Sequence, residues 1–153
     1  MVAYINSQPA PSQPFTPVID ELTIANGSPL TISAANTVVH NPSWTQPNGS
    51  TRLRCTWSVR LFESNGSGGP WATAVLKLDT VQVWPRGDQT STHGTNPMVA
   101  VSQNNPAEWH TVSFWLTGVT AGNHQMVLTL SNNVGSVGTL ALMWSALVME
   151  FYP

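Results

Sequence analysis

Thr51-Arg52-Leu53-Arg54-Cys55-Thr56-Trp57-Ser58-Val59-Arg60-Leu61-Phe62-Glu63 is the stretch on which the fold turns. Leu53, Cys55, Trp57, Val59 and Leu61 alternate strictly with Arg52, Arg54, Thr56, Ser58 and Arg60. Successive side chains of an extended chain point to opposite faces, so this period predicts a strand with one dry face and one wet face. Three of the five Lys and Arg residues fall on the wet face, which reads either as a site for an acidic partner or as the solvated outside of a sheet. Cys55 falls on the dry face, where a small buried apolar role is expected in place of a nucleophilic one. As the single cysteine, it excludes an intrachain disulfide.

On either side lie short runs rich in Val, Leu, Thr and Trp, separated by Asn-Gly, Gly-Pro and other Pro-containing breaks. That punctuation belongs to all-β proteins. Residues 72–84 alternate with a slip in phase, which predicts a bulge near Asp79 and Thr80. Residues 109–117 and 124–130 form further strands, joined at Gly118-Val119-Thr120-Ala121-Gly122-Asn123 by either a hairpin or a corner. With 18–24, 29–33, 37–40, 98–102 and the C-terminal run, the expectation is a single jelly-roll-like β-sandwich of about eight antiparallel strands over residues 18–153. Residues 1–17 carry Pro9, Pro11, Pro14 and Pro17 and are expected to form a Pro-rich extended arm. Tyr4, Ile5 and Phe15 are its candidate anchors, and the arm is expected to serve for attachment.

The last run, 138–152, is apolar on both faces: Leu140, Leu142, Trp144, Ala146 and Val148 on one, Ala141, Met143, Leu147 and Met149 on the other. Antiparallel strands usually wet one face. A two-layer sandwich offers no third surface, so the second face is expected to pack on another subunit, most simply in a homotrimer. Leu140, Ala141, Met143, Ser145, Leu147, Met149 and Phe151 are the expected interface.

With charged residues at 8% and a net charge of −2, the chain lacks the basic field that nucleic acid requires. The longest apolar run, Leu140 to Met149 broken only by Ser145, is too short for a membrane helix, and the N-terminus does not read as an export signal. His40, His93, His110 and His124 are scattered without metal-ligand spacing. Asp20 and Glu21, adjacent in a strand, point to opposite faces and make a poor acid/base pair. No nucleophile elbow, phosphate loop or dinucleotide fingerprint is present, so no catalytic, cofactor or metal residue is assigned and enzyme function is not expected. Asn26-Gly27-Ser28, Asn48-Gly49-Ser50 and Asn65-Gly66-Ser67 read as tight turns, as does Arg86-Gly87-Asp88. Of the seven Trp residues, Trp44, Trp71 and Trp84 sit beside turns and either face a partner or close strand ends.

Leu116-Thr117-Gly118-Val119-Thr120-Ala121-Gly122-Asn123-His124-Gln125-Met126-Val127-Leu128 resembles the Gly-Leu-x-Ala-Gly-x-His pattern of jelly-roll modules in the virion proteins of tailed bacteriophages, with Val119 in place of the Leu. Leu147-Val148-Met149-Glu150-Phe151 is similar to that family's last strand. The resemblance implies a trimeric sandwich located in the virion and no catalytic residues. It points first to a capsid decoration (cement) protein bound to the major capsid protein or another virion protein. The alternative is a tail or fibre module that binds a receptor or host-surface glycan. A fibre tip normally follows a long shaft, whereas here a short arm precedes the sandwich.

Overall fold

The computed structural model describes residues 15–23, 29–32, 37–63, 71–84, 98–100, 107–132 and 140–153. They form β1 (Val18–Thr23), β2 (Leu30–Ile32), β3 (Thr37–His40), β4 (Ser43–Gln46), β5 (Arg52–Glu63) and β6 (Trp71–Leu78). The second half contributes β7 (Val81–Trp84), β8 (Met98–Ala100), β9 (Glu108–Thr117), β10 (Gly122–Asn132) and β11 (Leu140–Tyr152). One sheet runs β1-β11-β5-β9, with β2 also on β11; the other runs β3-β10-β6-β7, with β4 on β10 and β8 on β6. Every pairing is antiparallel.

With β2, β4 and β8 set aside, the first of the eight main strands pairs with the last (β1·β11), the second with the seventh (β3·β10), the third with the sixth (β5·β9) and the fourth with the fifth (β6·β7). That is one long antiparallel ribbon. Rolling it up brings β11 against β5 and β10 against β6, which is the winding of a jelly roll. The protein is an all-β, jelly-roll-like sandwich.

The dry face of β5 is fully buried, with Leu53, Cys55, Trp57, Val59 and Leu61 packed against Leu76, Met126, Leu128 and Leu130 of the opposite sheet. Burial pushes the Cys55 thiol up to about 12, so it stays protonated and behaves as an apolar side chain. The turn at Asn48-Gly49-Ser50 forms as read, with Ser50 N–H donating to Pro47 O (3.1 Å) and Gly49 at φ 83°. Asn26, Asn65, Arg86 and His93 lie outside the described residues.

Two readings are corrected. At Asp79 and Thr80 themselves the chain reverses: at φ 49° and 89° they join β6 to β7 in a two-residue turn, and the irregularity in the pairing lies further along, where Val83 is extra opposite Leu76 and Lys77. In β11 the register shifts between Leu142 and Trp144. The extra residue switches the face, so Leu140 and Leu142 before it and Ser145, Leu147, Met149 and Phe151 after it all point into the chain's own core. Ala141 is buried as well, between Phe62 and Thr31 on the flanking strands. Of the expected interface, Leu140, Ala141, Ser145, Leu147, Met149 and Phe151 cannot meet another subunit, because this chain already covers them. Only Met143 of the expected interface is partly exposed.

Candidate functional site

The face of the first sheet turned away from the core is assembled from residues opposite one another on three strands. Across β9, β5 and β11 the rows read Trp109-Arg60-Trp144, Thr111-Ser58-Ala146, Ser113-Thr56-Val148, Trp115-Arg54-Glu150 and Thr117-Arg52-Tyr152. Trp109 and Trp144 reach across β5 to within 5.2 Å of each other, and the Arg60 guanidinium carbon lies 5.7 Å from the Trp109 ring. At the other end, Trp115 and Tyr152 meet at 5.0 Å, with Arg52 5.8 Å from the Trp115 ring. A ladder of hydroxyl pairs, Ser58 with Thr111 (3.0 Å) and Thr56 with Ser113 (2.9 Å), separates the two nodes.

The acids on this face are engaged: Glu21 accepts the Trp144 indole N–H (2.8 Å), and Glu150 pairs with Arg54 (3.5 Å). Arg52 Nε donates to Pro153 O (3.1 Å), whereas Arg60 Nε is buried and has no acceptor among the described residues. Trp109 is 61% exposed, Trp115 44% and Ile19, at the β1 edge, 62%. Exposed Trp, Tyr and Arg together are the composition of binding hot spots.

A second constellation crosses the sandwich where β1 meets β3. His40 is buried between Asp20, whose carboxylate lies 2.9 Å from Nδ1, and Ser145, whose hydroxyl lies 2.7 Å from Nε2. Trp57 Nε1–H donates to the same Ser145 oxygen (2.9 Å). The carboxylate can only accept, so it takes Nδ1–H, and Nε2 receives the serine proton. Burial holds His40 below the ordinary imidazole range against the opposing pull of Asp20, which fits this neutral form. The connectivity is that of a Ser-His-Asp triad. Ser145, however, is 0% exposed, so no substrate carbonyl can reach its oxygen, and the chain of bonds ties the two sheets together.

The third is a cleft of about 490 Å³ lined by Ser43, Trp44, Thr45, Asp79, Asn123, His124 and Gln125. Asp79 Oδ1 accepts the Gln125 backbone N–H (2.8 Å), Oδ2 lies 2.5 Å from His124 Nδ1, and His124 Nε2 faces Thr120 O at 2.8 Å. Both partners of the ring are acceptors. The hydrogen bond to Asp79 accordingly raises the His124 pKa, and the bond from His124 lowers that of Asp79. The resemblance motif thus does structural work: Gly118 (φ 74°) and Gly122 (φ 134°) make the corner between sheets, Val119 is buried under it, and His124 braces it.

Of the two roles open to Trp44 and Trp84, packing holds and partner contact does not: both are buried, Trp44 packing on His124 and Phe151 and Trp84 stacking on Phe114 and meeting Trp57 edge-on. The side chain of Trp71 and the whole of Tyr4 and Ile5 lie outside the described residues. Phe15 is placed on the chain itself, donating its N–H to Phe151 O (3.2 Å) and packing on the core. Trp109 and Trp115, to which the sequence pattern alone assigned no role, are exposed. Their signal was the phase set by Val112, Phe114 and Leu116, which puts both on the wet side. Asp20 and Glu21 do diverge as expected, Asp20 to His40 and Glu21 to Trp144.

No family model and no curated protein matches the sequence. Similar solved structures include the EclA C-terminal domain, a sugar-binding protein (13% identity, TM-score 0.43, covering 96% of this chain and 89% of that one). The VP2 subviral particle of infectious bursal disease virus is also similar (11% identity, TM-score 0.49, 89% of this chain and 33% of that one). So is dimeric latent PorU from Porphyromonas gingivalis (9% identity, TM-score 0.46, 94% of this chain and 14% of that one). The chain therefore spans a third or less of the last two. The likeness is one of architecture and bears on none of the sites above.

Proposed function

We propose that this chain is a non-catalytic structural protein of a bacteriophage virion, a capsid decoration module that assembles with itself, as a homotrimer, through the outer face of the β1-β11-β5-β9 sheet. The observation that carries the reading is the pair of aromatic and arginine nodes, with Trp109 61% and Trp115 44% exposed at either end of a ladder of small hydroxyl side chains. Leaving that much indole in water forgoes roughly 25 cal/mol for each Å² that a partner would cover. The subunit contact expected of the last strand is kept, but it moves to the opposite face, where Trp144, Ala146 and Val148 take the place of Leu147 and Met149.

Sedimentation of the wild type against W109A/W115A tests this. A trimer at micromolar concentration that becomes a folded monomer, with the β-sheet circular dichroism of the wild type, in the double variant is the expected result. A wild type that stays monomeric would overturn the assembly reading. A second reading, a glycan-binding tail module, draws on the polar cleft of the other sheet.

A further inference from the structure

The cleft at Asp79 lies on the second sheet, formed by β4, β10 and the β6-β7 turn, and shares no residue with the proposed assembly face. It is a shallow, largely open depression of about 490 Å³, so a ligand there would stay partly in water and be held by polar contacts more than by enclosure. What lines it narrows the ligand. Ser43 and Thr45 offer hydroxyls, Asn123 and Gln125 offer amides, and Asp79 offers a carboxylate, so donors and acceptors alternate over a short distance. An anion would meet the Asp79 carboxylate, and the charge of His124 is already directed at that group. A metal would find a single carboxylate, and among the described residues no three His, Cys, Asp or Glu side chains gather. An apolar ligand would leave these groups unpaired.

The groups are also held in place. Thr45 Oγ1 donates to Asn123 Oδ1 (2.8 Å), which turns the Asn123 amino group to the free side as a donor. Each Asp79 oxygen accepts one bond within the chain and keeps a second lone pair. The turn that presents Asp79 is strained, since Thr80 sits at φ 89°, a region costly for a β-branched residue and one often kept at binding sites. Two-residue hairpin turns favour Asn-Gly or Asp-Gly, so connecting β6 to β7 does not by itself explain a threonine there.

We propose that this cleft binds a neutral saccharide, with Asp79 accepting hydroxyl hydrogens, the Asn123 amide donating, and Ser43, Thr45 and Gln125 completing the polyol contacts. The inference rests on the second, glycan-binding reading and names its site and ligand class; it is independent of trimer assembly, and either can fail alone. The probes are the methyl glycosides of glucose, galactose and mannose, and N-acetylglucosamine, titrated to about 10 mM into the 15N-labelled full chain, a range suited to millimolar sites. At least one should shift the amides of Thr45, Asp79, Asn123 and Gln125, and N123A should weaken that binding about tenfold, the loss of one or two hydrogen bonds. Q125A serves as a second variant that leaves the Asp79 bonds to the Gln125 backbone in place. No shift at the cleft with any of the four sugars, shifts confined to the Trp109 and Trp115 face, or cleft binding unchanged in both variants would each overturn the assignment.

Discussion

Ser145 is the one polar residue in a long apolar run, and its environment explains why a small hydroxyl is kept there. Its oxygen accepts the Trp57 N–H while its proton goes to His40. Removing it leaves two buried polar groups unpaired, each at a cost of about 1–3 kcal/mol. S145A is therefore expected to lose about 2–6 kcal/mol in urea denaturation, and a loss below about 0.5 kcal/mol would show that the network adds nothing. The two described histidines that face carboxylates should titrate in opposite senses. His40 is held neutral by burial, so its contribution is lost as pH falls below the ordinary imidazole value of about 6.5. His124 is raised by Asp79, so its contribution is present below about 6.5 and lost as pH rises through its folded value. Asp79 is lowered, and its share is present above about 3.9 and lost as pH falls through its depressed value. The Asp79 and His124 pair thus stabilises most fully between roughly pH 4 and 6.5, by less than about 1 kcal/mol because solvent screens it. Proton NMR should place the His40 midpoint below that of free histidine and the His124 midpoint above it. D79N should bring the His124 midpoint back toward about 6.5.

At the scale of elements, β11 shows how one extra residue rewrites a surface. Leu147 points into the core and Val148 to the outer face. L147D buries an unpaired charge and should unfold the monomer, at a cost of 4 kcal/mol or so and above. V148D should keep the wild-type near-UV spectrum while impairing assembly. Equal effects from the two would place the register shift elsewhere. The β6-β7 turn carries a related test. Glycine tolerates the φ of 89° that Thr80 adopts, and the relief of about 1–2 kcal/mol outweighs the extra freedom glycine brings to the unfolded chain, roughly 0.4–1 kcal/mol. T80G is expected to raise the melting temperature, and an unchanged or lower value would mean that Thr80 makes compensating contacts.

At the scale of the whole molecule, the ribbon winding couples the two ends of the chain. β11 pairs with β1, β2 and β5, so the last strand made completes the sheet that the first one edges. Contacts so distant in sequence are expected to slow folding to milliseconds or seconds, which stopped-flow Trp fluorescence can check; a microsecond phase carrying the full amplitude would contradict it. Strand existence was readable without any structure, as in β5, because alternation is a local consequence of the pleat. So were the buried state of Cys55, the divergence of Asp20 and Glu21 and the presence of a break at Gly118 to Gly122, which depend only on near neighbours, whereas the choice of a corner over a hairpin there was made by the sheets. What escaped reading was every choice between two locally equivalent faces. Met143 marks no visible break in an apolar run, Trp109 and Trp115 drew no role from the pattern, and His40 meets Ser145 across 105 positions. By itself, then, the sequence determined that the chain forms short alternating strands in a sandwich. Only the tertiary structure decided which face of the last strand is covered and which histidine is buried, because side-chain burial is settled by the strand or sheet that packs opposite, and that partner comes from elsewhere in the chain.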